Sequence, residues 1–310
     1  MSGTPSAGRR RLEAWAAAFV AAAAARLPRR ATLALGRGLG RSWGDLDRRH
    51  TAIAADNLRR SFPGWDEARV RRTASDVYAH FGQVLLDVLW ISSRPPQRAL
   101  ELIERIDGRE HVLRAMAEGR GMVIATAHLG NWEVHGLAHG LLFGAIGVVA
   151  RPLDNPALDA RLVGCRAAGG NQVIYKQRAL QQVLRLLRGG RGVAILLDQN
   201  TAEGQGVFVD FFGRPASTTT VVAALAAKTG CAIVPAWSRL LPDGRYRLSY
   251  RPALRFEGGG DREEGIARLT QRITSIIEDG VREAPEQWLW IHRRWKTQPP
   301  APQPPTEQAP

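Results

Sequence analysis

The chain has 310 residues, 45% of them hydrophobic, enough for one large α/β domain or two small ones, which excludes general disorder. Its formal net charge of +14 suits nucleic acid, an anionic membrane surface or an acidic substrate carrier. Nine tryptophans against four tyrosines favour a membrane interface, and no basic-aromatic nucleic-acid module is recognisable.

The N-terminus carries Arg9-Arg10-Arg11 ahead of an apolar run from Ala14 to Ala25. As a helix that run is only about 18 Å long, short of the roughly 30 Å hydrocarbon core. A cleaved signal peptide and a plain buried helix are alternatives. The preferred reading makes residues 1–30 a basic, apolar helix on or dipping into the cytoplasmic leaflet. Its arginines would meet anionic lipid, and Trp15 would sit at the interface.

Residues 31–100 read as helices. Arg48 to Phe62 places Ile53, Leu58 and Phe62 among arginines, and Pro63-Gly64 ends it. Glu67 to Trp90 resumes with Val70, Val77, Phe81, Leu85 and Leu89 near helical spacing. Pro95-Pro96 closes the block.

From residue 121 strands alternate with helices. The strands are Met122–Ala127, Ile146–Ala150, Gln172–Tyr175 and Val193–Leu197, with helices at Trp132–Phe143, Pro156–Ala168 and Ala179–Leu187 between them. Val221–Lys228 is a further helix. Ala232–Leu240 and Tyr246–Pro252 form a hairpin around Pro242-Asp243-Gly244, and Glu264–Glu283 is an amphipathic helix. Such alternation predicts an α/β fold with a mainly parallel central sheet flanked by helices, preceded by the helical N-terminal region. One domain spans 31–298, and 299–310 (PPAPQPPTEQAP) is a Pro-rich disordered tail.

Sites in these sheets gather at the carboxyl ends of strands. His128, Arg151 and Asp198 each follow a predicted strand. In GMVIATAHLGNWE, Gly121 to Glu133, a buried strand delivers His128 to a Leu-Gly turn, and Asn131 caps the next helix. Glu133 lies in that helix's first turn, where the macrodipole favours a carboxylate. It is expected to reach one ring nitrogen of His128 and leave the other as a general base. Arg151 suits a phosphate or a developing oxyanion, with a surface ion pair as the alternative. Asp198-Gln199-Asn200 either lines a site or caps a turn. Val207 to Thr220, with Phe211, Phe212 and Gly213, either shapes a pocket rim for an acyl chain or packs on the core. PEQWLWIHRRWK, Pro285 to Lys296, clusters Trp288, Trp290 and Trp295 with basic residues and reads as an interfacial anchor, or else as a Trp-rich core flap. His135 and His139 are four apart, yet no HExxH and no Cys/His metal spacing is present, so no metal is expected. Cys165 and Cys231 read as reduced cytosolic thiols.

Taken together, AHLGNWE at Ala127–Glu133 resembles the HxxxxE motif of the bacterial lipid A biosynthesis acyltransferases, the lauroyl and myristoyl transferases within the lysophospholipid acyltransferase superfamily. Four further stretches match in order and spacing: RPLDNPALD at 151–159, LLDQN at 196–200, GVFVDFFGRPASTT at 206–219, and PEQWLWIHRRWK at 285–296. The resemblance covers roughly residues 25–297. It implies a glycerolipid acyltransferase-like fold and acyl transfer from a thioester, usually on acyl carrier protein with acyl-CoA as alternative, to a hydroxyl of a membrane glycolipid. It implies no cofactor, an anionic membrane surface as partner and the cytoplasmic face of the inner membrane as location. Carried over, His128 is the general base and Glu133 its partner. Arg151 serves a phosphate or the oxyanion, and Asp198 lines the site or orients the histidine. Asn131, Gln199, Phe211, Phe212 and Gly213 would contact substrate. Another lipid acceptor (a phosphatidylinositol mannoside, an ornithine lipid or a lysophospholipid), a lipid hydrolase and a non-enzymatic membrane binder are the competing readings.

Overall fold

A computed structural model describes residues 7–175 and 179–300. Four helices come first: α1 (Ala7–Arg26), α2 (Arg29–Leu46), α3 (Arg48–Ser61) and α4 (Glu67–Ile91). Pro28, which supplies no amide hydrogen, separates α1 from α2. Asp47 and Asp66 accept the free N–H groups of His50 and Arg69 and so begin α3 and α4.

Helix α2 lies on α4 through Gly36, Gly40 and Gly44. These three are spaced four apart and share one face, which lets the two backbones approach closely. A methyl group at Gly40 would run into the carbonyl of Tyr78. We expect Gly40→Ala to destabilise the protein by about 1–3 kcal/mol in urea unfolding. An unchanged midpoint would show that the contact is not tight.

Several large apolar side chains of this helical region stay exposed. Seven of the thirteen exposed large apolar side chains among the described residues lie here: Trp15 and Phe19 on α1, Leu35, Leu39, Trp43 and Leu46 on α2, and Leu85 on α4. No helix among the described residues is long and apolar enough to cross a membrane.

The rest is a three-layer α/β unit. In chain order it comprises α5 (Arg98–Glu101), β1 (Ile103–Asp107), α6 (Arg109–Ala117), β2 (Met122–Thr126), α7 (Trp132–Phe143), β3 (Gly147–Ala150), α8 (Pro156–Ala167), β4 (Gln172–Tyr175), α9 (Ala179–Arg188) and β5 (Gly192–Leu196). Then follow β6 (Val207–Asp210), β7 (Pro215–Thr218), α10 (Val221–Thr229), β8 (Ala232–Leu240), β9 (Tyr246–Tyr250) and α11 (Arg262–Glu283). The seven-stranded sheet runs β1-β9-β8-β2-β5-β3-β4. Every adjacent pair is parallel except β8–β9. The mainly parallel sheet is therefore as expected from the alternation.

Central strand β2 is buried on both faces, which explains its unbroken apolar run. Val123 and Ala125 join a core layer with Leu187 of α9, Val222 of α10 and Ile273 of α11. Met122 and Ile124 face the other layer, with Val112 of α6 and Ala138 of α7. Edge strand β1 and helix α6 were not anticipated. The burial of β1 alternates only weakly, so its five residues carry little periodic signal. The 207–220 segment holds its own antiparallel hairpin, β6–β7. Of the Pro-rich tail, residues 301–310 lie outside the described residues.

The Trp-rich C-terminal segment corrects an expectation. Trp288, Trp290 and Trp295 are 1%, 0% and 6% exposed, so they form no interfacial anchor. Trp288 and Trp290 meet edge to face at 4.6 Å, and Phe211 and Phe212 pack against them. Asn57 of α3 donates to the carbonyls of Trp290 and His292 and holds the segment inside. Even Arg294 is buried and donates to the carbonyl of Ser217. Two of the three indole N–H groups meet an internal acceptor: Trp288 bonds Asp198, and Trp290 bonds the carbonyl of Pro285.

Candidate active site

β2 and β5 are parallel neighbours with Thr126 opposite Leu196. Two residues further on, both chains leave the sheet at its carboxyl edge, and His128 meets Asp198. The ring Nδ1 lies 2.9 Å from Asp198 Oδ1, while Oδ2 accepts the His128 backbone N–H at 2.8 Å. Trp288 Nε1 donates to the same Oδ2 at 2.8 Å. Asp198 is thus a buried carboxylate with three donors around it.

The loop after His128 is clamped on several sides. Leu129 bridges to Trp288, the Gly130 N–H donates to the carbonyl of Gln287, and His80 Nε2 donates to the carbonyl of Gly130. Burial holds His80 near a pKa of about 4, so it is neutral and donates from Nε2. Gly130 has φ +63°, and a side chain there would strike the backbone of Ser238.

Asn131 is the predicted cap of α7, with its Oδ1 accepting the Val134 N–H. It is fully buried, so it does not line the open face of the site. Its Nδ2 donates to the Tyr246 hydroxyl at 3.0 Å, Tyr246 donates to Asp87 at 2.6 Å, and Arg29 grips Asp87 with two bonds of 2.8 Å. A buried polar chain therefore runs from the start of α2 to the cap of the helix beside His128.

Glu133 does not take the place that its spacing suggested. It sits in the first turn of α7 and is turned toward α8, where Arg166 holds it by two hydrogen bonds of 2.6 and 2.8 Å. Trp132 Nε1 donates to the same carboxylate, and the Trp132 ring packs edge-on against His128 at 4.9 Å. The acid bonded to the histidine is Asp198, because parallel neighbouring strands bring their ends side by side whereas a first-turn residue is carried round the helix. Glu133 still favours the charged ring through its field.

Burial opposes charge on the His128 ring, but the charge and hydrogen bond of Asp198, with a further push from Glu133, raise its pKa above the ordinary imidazole value. Burial also opposes the Asp198 carboxylate, yet His128 and the Trp288 N–H hold its pKa below the usual carboxylate value. The pair is therefore an ion pair when the ring is protonated. The ring is 20% exposed, and Nε2 has no hydrogen-bond partner among the described residues. Helix α7 begins four residues after His128, and helix geometry leaves its first N–H groups without intrahelical acceptors, that of Val134 being taken by the Asn131 side chain.

Arg151 follows β3 and is exposed, at the same sheet edge, with β5 between β3 and β2. Gln199 is exposed beside Asp198. Phe211 and Phe212 are 1% and 5% exposed and belong to the core, so of the two readings of this segment, pocket rim or packing on the core, the second holds for these side chains. Phe212 at φ +57° and Gly213 at φ +70° form the turn of the β6–β7 hairpin. His135 and His139 are buried and neutral, pushed down to about 4 and about 3 by desolvation, and His139 shares a hydrogen bond with Tyr250. Among the described residues no group of three His, Cys, Asp or Glu side chains is placed to hold a metal ion.

Two functional neighbours were not read from the sequence. Arg166 lacks any local signal, since only the packing of α8 on α7 brings it to Glu133. Trp288 was read as a membrane residue, whereas its indole N–H helps orient Asp198.

The comparison with known proteins gives the family. The description "bacterial lipid A biosynthesis acyltransferase" matches residues 6–297. The chain is 30% identical over 267 residues to the lipid A biosynthesis lauroyltransferase of Escherichia coli (strain K12), covering 86% of this chain and 85% of that protein. It is 26% identical over 249 residues to a lipid A biosynthesis acyltransferase of Haemophilus influenzae, covering 79% and 75%. It is also 26% identical over 223 residues to a phosphatidylinositol mannoside acyltransferase of Mycobacterium tuberculosis (strain ATCC 25618 / H37Rv), covering 70% and 67%. With the histidine and its acid at the sheet's carboxyl edge and a match spanning nearly the whole chain, this protein belongs to the bacterial lipid A biosynthesis acyltransferase family.

Proposed function

We propose that the protein moves a fatty acyl group from an acyl thioester, on acyl carrier protein or coenzyme A, to a hydroxyl of a lipid A precursor, with His128 as general base. The observation that carries this reading is the His128–Asp198 pair: Nδ1 is held by the acid while Nε2 is unpartnered on the exposed side. No nucleophile of the protein is required. Nε2 takes the proton of the acceptor hydroxyl as its oxygen attacks the thioester carbon. The carbonyl oxygen becomes an oxyanion, stabilised by the free amides at the start of α7 or by Arg151. The carbon–sulfur bond then breaks, and the proton on Nε2 passes to the departing thiolate. Asp198 fixes the tautomer and stabilises the imidazolium, as the acid of a triad does. Glu133, locked by Arg166, adds negative potential near the ring and keeps Trp132 in place.

The membrane reading loses the C-terminal tryptophans, keeps the N-terminal helix and extends to α2. Trp15, Phe19, Leu35, Leu39, Trp43 and Leu46 present an exposed apolar ridge, with Arg37 and Arg41 beside it. That composition suits an interfacial position on the cytoplasmic face of the inner membrane. Leu39→Asp combined with Trp43→Ser is expected to reduce binding to phosphatidylglycerol vesicles about tenfold or more in a flotation assay. Binding equal to wild type would remove the ridge from the interface.

A different acceptor is the second reading, prompted by the similarity to the phosphatidylinositol mannoside acyltransferase. The deciding assay offers acyl carrier protein and coenzyme A donors with a lipid A precursor, and detects products by mass. An acylated precursor supports the first reading. Free fatty acid without an acceptor product points to a hydrolase. Mass spectrometry of lipids from a deletion strain identifies another acceptor.

A further inference from the structure

A pocket of about 520 Å³ opens between α3 and the C-terminal segment, and none of the residues of the apolar ridge lines it. Arg60, Arg214, Arg293 and Lys296 line it, against one acid, Asp56. Arg60 bonds Asp56 at 3.0 Å, whereas Arg214, Arg293 and Lys296 have no ion pair among the described residues. Arg214 lies over the Trp295 ring, 4.1 Å from its centroid, and has a buried Nη1 without a hydrogen-bond partner among the described residues. Burial and the charge of Arg60 both press on the Arg214 guanidinium and lower its pKa. Like charges gathered in a concavity are unfavourable unless an anion joins them.

The wall of this pocket is also the wall of the catalytic loop. Asn57, which lines it, holds the carbonyl of His292, and His292 Nε2 accepts the N–H of Asn200. Asn200 is bonded twice to Thr297, next to Lys296. Asn200 itself stands two residues after Asp198. The basic pocket thus lies beside the carboxyl edge of the sheet without entering it.

Resting on the thioester reading above, we infer that this pocket holds the phosphate of the donor's pantetheine arm, which carrier-protein and coenzyme A donors share. That phosphate stands a whole arm's length from the thioester, so its site belongs beside the cleft rather than in it. An acceptor embedded in a bilayer is expected from the side of the ridge. α3 contributes none of the exposed large apolar side chains, so this face meets water, from which a soluble donor arrives.

The test uses the full-length protein and the double variant R293Q/K296Q, whose side chains are exposed and outside the catalytic pair. In calorimetry, wild type is expected to bind 4′-phosphopantetheine, and to bind phosphate-free pantetheine about tenfold more weakly. The variant should lose that discrimination while its thermal unfolding stays unchanged. In turnover, KM for both acyl-carrier-protein and acyl-CoA donors should rise about tenfold with kcat retained, and KM for an acyl N-acetylcysteamine thioester, which lacks phosphate, should not move. A rise with the carrier-protein donor alone would assign the pocket to the carrier's acidic surface and overturn the phosphate assignment. A rise in acceptor KM alone would overturn it as well. If wild type used no thioester, the proposed function would fail, yet the calorimetry would still decide the pocket.

Discussion

His128→Ala is expected to lower acyl transfer by about 10²–10⁴-fold, the usual contribution of a positioned general base. The variant should remain folded. The side chain is partly exposed, and Asp198 keeps the His128 backbone N–H and the Trp288 indole as donors. Parallel assays of wild type and variant with both donor types decide it, alongside near-ultraviolet circular dichroism. Full activity in a folded variant would end the general-base assignment. The pH profile adds a signed expectation. The base must be neutral, and its pKa lies above the ordinary 6.5. The acid limb of kcat/KM should therefore have its midpoint on the alkaline side of 6.5. Stability runs the opposite way: a raised histidine pKa contributes stability fully present below 6.5 and lost as pH rises through the folded value. The depressed Asp198 contributes stability present above its unfolded value of 3.8 and lost as pH falls through the folded one. The enzyme should thus gain activity over the range in which the pair gives up part of its stabilisation.

Asp198→Asn is the sharper test because it preserves shape. Two N–H donors, from the His128 backbone and Trp288, converge on Oδ2. An asparagine must keep its carbonyl oxygen there, which turns its NH₂ toward Nδ1. Nδ1 then becomes an acceptor, the ring proton moves to Nε2, and the base is lost by tautomer. We expect kcat to fall by about 10²–10⁴-fold. With the negative charge gone, burial dominates the ring, and any residual acid limb should shift to lower pH. Nitrogen-15 chemical shifts of the ring would report the tautomer directly. Retained activity with an unshifted limb would mean that Asp198 is structural only. Glu133→Gln is the informative contrast: Arg166 and Trp132 hold that carboxylate, so its loss should leave the tautomer unchanged.

Much of the fold was legible locally. The Met122–Ala127 run, the Asn131 cap, the alternation through Val193–Leu197 and the amphipathic Glu264–Glu283 helix all reappear in place, because burial period and capping chemistry are short-range properties. β1 and the β6–β7 hairpin escaped notice, since strands of four or five residues without regular alternation of burial carry too little periodicity. The tryptophans of 285–296 misled for a related reason. An indole beside arginines has the same local composition in a bilayer interface and in a core, and only the packing of α3 and the hairpin over it distinguishes the two.

By itself, then, the sequence determined the family, the strand that ends in His128, and the cluster of polar residues at strand ends, because ordered motifs and periodic patterns are written along the chain. Which acid serves the histidine was decided only by the tertiary structure. Glu133 is five residues away and Asp198 seventy, yet sheet register puts Asp198 on the ring, while the turn of α7 and the packing of α8 give Glu133 to Arg166. The same holds for the basic pocket: its arginines and lysine come from residues 60, 214, 293 and 296, and only folding brings them onto one surface.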